Sequence, residues 1–233
     1  MADSLGDHFD VETSLGPVRL WGRRPAGRPV FLVITGAYAR MTVMDHFPRI
    51  FPDLDVLRMH LPGNHSPPLA EVSIEGFSRA LDEALLQVVA APLAILGLSA
   101  GALVALGVRN PNLSALLLVD PPIRTAESWP LRAPGLLAVD PTLFGALVDR
   151  DFSSWIDALT TPTEVMAGGI ALLPPRRLER PPSLVDDLTR RQLAANPLVT
   201  LTVVEGVGHL VQEAGPPFAQ AVIRVTERLR AAA

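Results

Sequence analysis

The chain has 233 residues, 48% hydrophobic and 19% charged, with a formal net charge of −4. That supports one globular domain over 1–233 with a sizeable core, and gives neither nucleic acid nor an anionic membrane surface a bulk attraction. There is no cysteine, which excludes disulfides, thiolate metal sites and cysteine catalysis.

Residues 8–22 alternate weakly around Leu15-Gly16-Pro17 and predict an edge hairpin. After a polar loop, residues 30–34 (VFLVI) form a continuous apolar run, as expected of a strand buried on both faces of a parallel sheet. It ends at Thr35-Gly36-Ala37-Tyr38. A helix is expected over about 41–51 and a strand over 55–60. Residues 72–90 carry Ile74, Phe77, Leu81, Ala84, Leu85 and Val88 at helical spacing, which places one apolar stripe on a helix. Pro92 closes it and opens a strand toward Ser99.

Strand, helix and strand then follow to Asp120-Pro121-Pro122. This alternation means a mostly parallel sheet with helices on both faces. Residues 121–161 break the rhythm with prolines and large aromatics, among them Trp129, Phe144 and Trp155. They read as a short helical lid inserted over the carboxyl edge of the sheet, where such folds bind ligands. The aromatics would line an acyl pocket with Tyr38, or form the insertion's own small core. A strand at 163–167, a helix near 183–195, a strand at 199–204 and a helix at about 216–231 complete the chain. The acidic start, Met1 to Asp7, is no secretory signal, and no apolar run approaches the ~20 residues of a membrane span. A cytoplasmic location with no membrane partner is therefore expected.

The segment Gly97-Leu98-Ser99-Ala100-Gly101 has the spacing of a nucleophile elbow, with strand before and helix after. A serine hydroxyl needs an adjacent base to act as a nucleophile. His209, in Gly206-Val207-Gly208-His209, follows the last strand and so reaches the same sheet edge; the alternative is a solvated loop histidine. The acid must lie at a strand end. The loop after 163–167 opens with Gly168-Gly169-Ile170-Ala171-Leu172-Leu173, with no carboxylate, and Glu164 lies inside that strand. Asp120 ends the strand beside the nucleophile's, so the acid is assigned there; the alternatives are a loop cap or an ion pair with Arg124. The backbone N–H groups of Ala37 and Ala100 are the candidate oxyanion donors.

Among the remaining histidines, His60 and His65 lack a third ligand in any zinc spacing, so no metal and no other cofactor is expected. His8 and His46 read as surface or half-buried residues. Arg176, Arg177, Arg180, Arg190 and Arg191 form either a solvated face or a docking patch for an acidic partner or a phosphate.

The whole chain resembles an α/β-hydrolase over residues 10–231, and more narrowly the thioesterase domains that release polyketides and nonribosomal peptides. The resemblance rests on Leu61-Pro62-Gly63, on residues 97–102, on Leu118-Val119-Asp120-Pro121-Pro122 and on Gly208-His209. The turn Gly63-Asn64-His65 departs from the pattern, with histidine where the family usually has glycine. The resemblance implies a serine hydrolase that cleaves, transfers or cyclises an acyl thioester or carboxylic ester. Its substrate would be presented by an acyl carrier protein or coenzyme A. A carboxylesterase or lactonase, or a non-catalytic binding protein on the same fold, are the other functional readings.

Overall fold

The computed structural model describes residues 7–37, 45–126, 141–172 and 181–233. The expected hairpin forms as β1 (His8–Thr13) and β2 (Gly16–Trp21), paired antiparallel. The strands β3 (Val30–Ile34), β4 (Asp55–Met59), β5 (Leu93–Leu98), β6 (Leu113–Val119), β7 (Thr163–Gly168) and β8 (Val199–Val204) follow. They assemble into one eight-stranded sheet in the order β1-β2-β4-β3-β5-β6-β7-β8. Every pairing from β4 onward across the sheet is parallel.

Parallel neighbours need crossovers, and the helices supply them. They are α1 (Phe47–Ile50), α2 (Ile74–Val88), α3 (Ala100–Gly107), α4 (Pro141–Gly145), α5 (Ser153–Asp157), α6 (Asp187–Ala195) and α7 (Pro216–Ala231). Side chains alternate across each strand, so the sheet has two cores. Leu32, Ile34 and Ile95 pack with Phe77, Leu81 and Leu103 of α2 and α3. Phe31, Val33 and Leu96 pack on the other face with Phe47 of α1 and Val222, Val225 and Leu229 of α7. The α2 helix starts where Ser73 Oγ accepts the Gly76 N–H at 2.8 Å, a side-chain cap worth about 1 kcal/mol. Among the described residues, no helix is long and apolar enough to cross a membrane.

Two expectations change. Of the helix expected over 41–51, the described residues 45–51 are helical over 47–50; residues 38–44 lie outside the described residues. The segment expected as a lid over 121–161 divides. Residues 127–140 lie outside the described residues, whereas α5 packs on the flank of the sheet against α3 and α6. Gln192 donates to Ser153 O at 3.0 Å and Asn196 to Ile156 O at 2.7 Å, tying α5 to α6 and the turn after it. The physical reason is topological. β6 and β7 are parallel neighbours, so the chain must return along a face of the sheet between them, and α5 lies on that return.

Candidate active site

The elbow is built by close backbone approach. A Cβ on Gly97 would lie 2.5 Å from Ala102 Cα, and one on Gly101 would lie 2.4 Å from Thr35 O. Only glycine fits at either place. Between them Ser99 takes φ 52°, a region that side chains rarely adopt, and its strain is held by the Ser99 N–H bond to Val119 O at 2.9 Å. Ala100 then opens α3, where the first N–H groups have no partner inside the helix and the helix dipole is positive. The turn after β3 lies against the serine, since a Cβ on Gly36 would stand 3.2 Å from Ser99 Cβ. Ala37, the next residue, is half-buried at the same edge.

His209 is carried by the loop after β8. Its N–H donates to Pro181 O at 3.0 Å, and Gly208 passes so close to that carbonyl that any side chain would collide. The ring is half-buried, with Nε2 3.0 Å from Ser99 Oγ and Nδ1 2.6 Å from Asp120 Oδ2. A carboxylate only accepts, so Nδ1 carries the hydrogen and Nε2 is left to accept from the serine hydroxyl.

Asp120 is fully buried and has φ 46°. Its Oδ1 accepts from Gly168 N at 3.1 Å and from Ser183 Oγ at 2.5 Å; its Oδ2 accepts from Leu184 N at 2.7 Å as well as from His209. Four donors compensate the burial of one negative charge. Arg124 pairs with Asp151 at 3.2 Å rather than with Asp120. The Asp151 carboxyl is held below its ordinary value, first by the Ser153 side chain and further by the Ser153 N–H and the Arg124 charge.

The structure thus brings Ser99, His209 and Asp120 together, with Ala100 and Ala37 beside the serine. Glu164 stands apart, buried within β7 and paired with Arg224 and Arg228 of α7 at 3.0 and 2.9 Å. Trp155 lies elsewhere as well. Its ring lies tilted against Phe152 at 5.1 Å and covers Gly107 at the far end of α3, eight residues and roughly 12 Å of helix from Ser99. It belongs to the packing of α5 on α3 and not to an acyl pocket at the serine. Tyr38 and Trp129 lie outside the described residues, as does the side chain of Phe144.

His60 is fully buried at the end of β4, with Nδ1 3.1 Å from Thr35 Oγ1 and its ring against Trp21. His65 takes φ 56°, the conformation that explains why glycine is usual at that turn. Among the described residues, no group of three or more histidines or carboxylates is placed to hold a metal ion. Arg176, Arg177 and Arg180 lie outside the described residues, and Arg190 is occupied with the Gly168 and Val185 carbonyls. Sequence reasoning did not find Ser183 or the Leu184 and Gly168 amides.

No protein of curated function matches the sequence. Many solved structures share the fold. An esterase from Thermogutta terrifontis superposes with a TM-score of 0.68 at 16% identity, covering 96% of this chain and 99% of that one. Carboxylesterase CesB from Bacillus subtilis gives 0.63 at 14% identity, over 94% and 91% of the two chains. Proline iminopeptidase from Mycobacterium smegmatis gives 0.67 at 12% identity, over 97% and 100%. At these identities the likeness concerns the fold. The sequence itself matches the alpha/beta hydrolase family across residues 17–221, nearly the whole sheet and its helices, and the chain belongs to that family.

Proposed function

We propose that the protein is a serine hydrolase that opens an acyl thioester or carboxylic ester through an acyl-enzyme on Ser99. One observation carries the reading: the unbroken hydrogen-bond chain Ser99 Oγ–His209 Nε2, Nδ1–Asp120 Oδ2, at 3.0 and 2.6 Å. As Ser99 Oγ attacks the carbonyl carbon, its proton passes to His209 Nε2. Asp120 holds the imidazole in the required tautomer and stabilises the imidazolium without taking its proton. Negative charge develops on the carbonyl oxygen, to which the N–H groups of Ala100 and Ala37 would donate; such a donor contributes about 10²–10³-fold. His209 returns the proton to the departing thiol or alcohol, then activates water to release the acid. Where water is kept out, a nucleophile within the acyl chain takes its place and gives a cyclic product.

The acid at the end of β6 is the feature shared with the assembly-line thioesterases, and it supports a thioester from an acyl carrier protein or coenzyme A as the preferred substrate. Intact mass spectrometry after incubation with a panel of acyl thioesters and aryl esters tests this. An acyl adduct is expected with the wild type and none with Ser99→Ala, whose turnover should fall at least about 10⁴-fold. Adducts from aryl esters alone would point to a carboxylesterase. No adduct and no turnover with any of them would leave a binding protein.

A further inference from the structure

We propose that Ser183 is a positioning residue for Asp120: its hydroxyl anchors Oδ1 and so holds Oδ2 turned toward His209. This inference rests on the serine hydrolase reading above. A fully buried carboxylate is costly unless its oxygens are satisfied, and Asp120 depends on donors from three separate segments. Apart from His209, Ser183 is the one side chain among those donors. Its contact, at 2.5 Å, is the shortest of the four and lies in the range of charge-assisted bonds.

The serine itself is fully buried and fixed from both sides. Its N–H donates to Ile170 O at 3.0 Å, and its Oγ accepts the Val185 N–H at 3.2 Å. With that acceptor position used, its one hydrogen points at Oδ1. An ionised carboxylate can take that hydrogen and the other three; a protonated one would have to turn its own hydrogen toward a donor. The same short segment reaches the base, because Pro181 O accepts the His209 N–H. Residues 181–184 therefore set both the acid and the loop that carries the base. The 183–195 helix expected from the sequence starts only at Asp187, capped by Asp186, because Ser183 and Leu184 are engaged with Asp120.

Two measurements on Ser183→Ala and Ser183→Thr test the assignment, after circular dichroism has established that each folds. In proton NMR the far-downfield resonance of the His209 Nδ1 hydrogen should be displaced in Ser183→Ala and return toward its wild-type position in Ser183→Thr. This readout needs no substrate. With p-nitrophenyl acetate, Ser183→Ala should lose roughly tenfold in kcat with KM within about twofold, consistent with one bond to a charged group. Ser183→Thr should recover most of the loss. An Ala variant with its resonance unmoved would overturn the role of Ser183, even if the wild type hydrolyses the ester. A displaced resonance in Ser183→Ala together with a wild type that forms no acyl-enzyme would overturn the hydrolase reading and with it the catalytic meaning of the contact. Should the Ala variant not fold, Ser183→Cys, close in size and a weak donor, is read by the same criteria.

Discussion

Asp120 carries the highest demand of any side chain in the site. It is buried, strained at φ 46° and satisfied by four donors, so each part of its surroundings is specific to a carboxylate. Asp120→Asn keeps the shape but replaces one acceptor oxygen with an NH₂ donor. That group would face either Ser183 and Gly168 or Leu184 and His209, and in the second case it selects the wrong imidazole tautomer. Turnover should drop by about 10⁴-fold while the fold is retained, measured as kcat on an aryl ester. The elbow was legible in the sequence because glycine spacing records the backbone contacts of Gly97 and Gly101 directly. Asp120 was legible by elimination, since residues 168–173, directly after the later strand, hold no carboxylate. Ser183 was not. A serine after two prolines follows no period, and its partner is 63 residues away.

At the scale of elements, β7 contributes a buried carboxylate that is not in the site. Glu164 points to the face covered by α7 and meets two arginines whose side chains remain about two-fifths exposed. Those guanidinium groups can turn to water, so the pair contributes less than a fully enclosed one. Glu164→Gln should lower stability by about 1–2 kcal/mol, read from denaturant unfolding, and leave the rate of aryl ester hydrolysis within twofold. Strands and long helices were legible because their periods differ and both are strong here: β3 is apolar throughout, and α2 carries one stripe. The place of α5 was not. A short helix shows the same spacing of apolar residues whether it covers the sheet edge or packs on its flank. Its place follows from the need to return from β6 to β7. Trp155 accordingly follows α5 onto Gly107 rather than toward Ser99.

Across the whole molecule, the site exists only when the sheet is assembled. Ser99 and His209 are 110 residues apart and Asp120 and His209 are 89 apart, yet all three stand at the carboxyl edge of parallel strands β5, β6 and β8. The family follows from the sequence match and the shared fold; a nucleophilic serine is a separate claim, and it depends on this convergence. A fluorophosphonate probe followed by peptide mapping tests it most directly. The native protein is predicted to take one phosphonyl group, on Ser99, and to take none when unfolded in denaturant or when Ser99 is replaced by alanine. A native protein that stays unlabelled, or a Ser99→Ala protein labelled as fast as the wild type, would contradict the account.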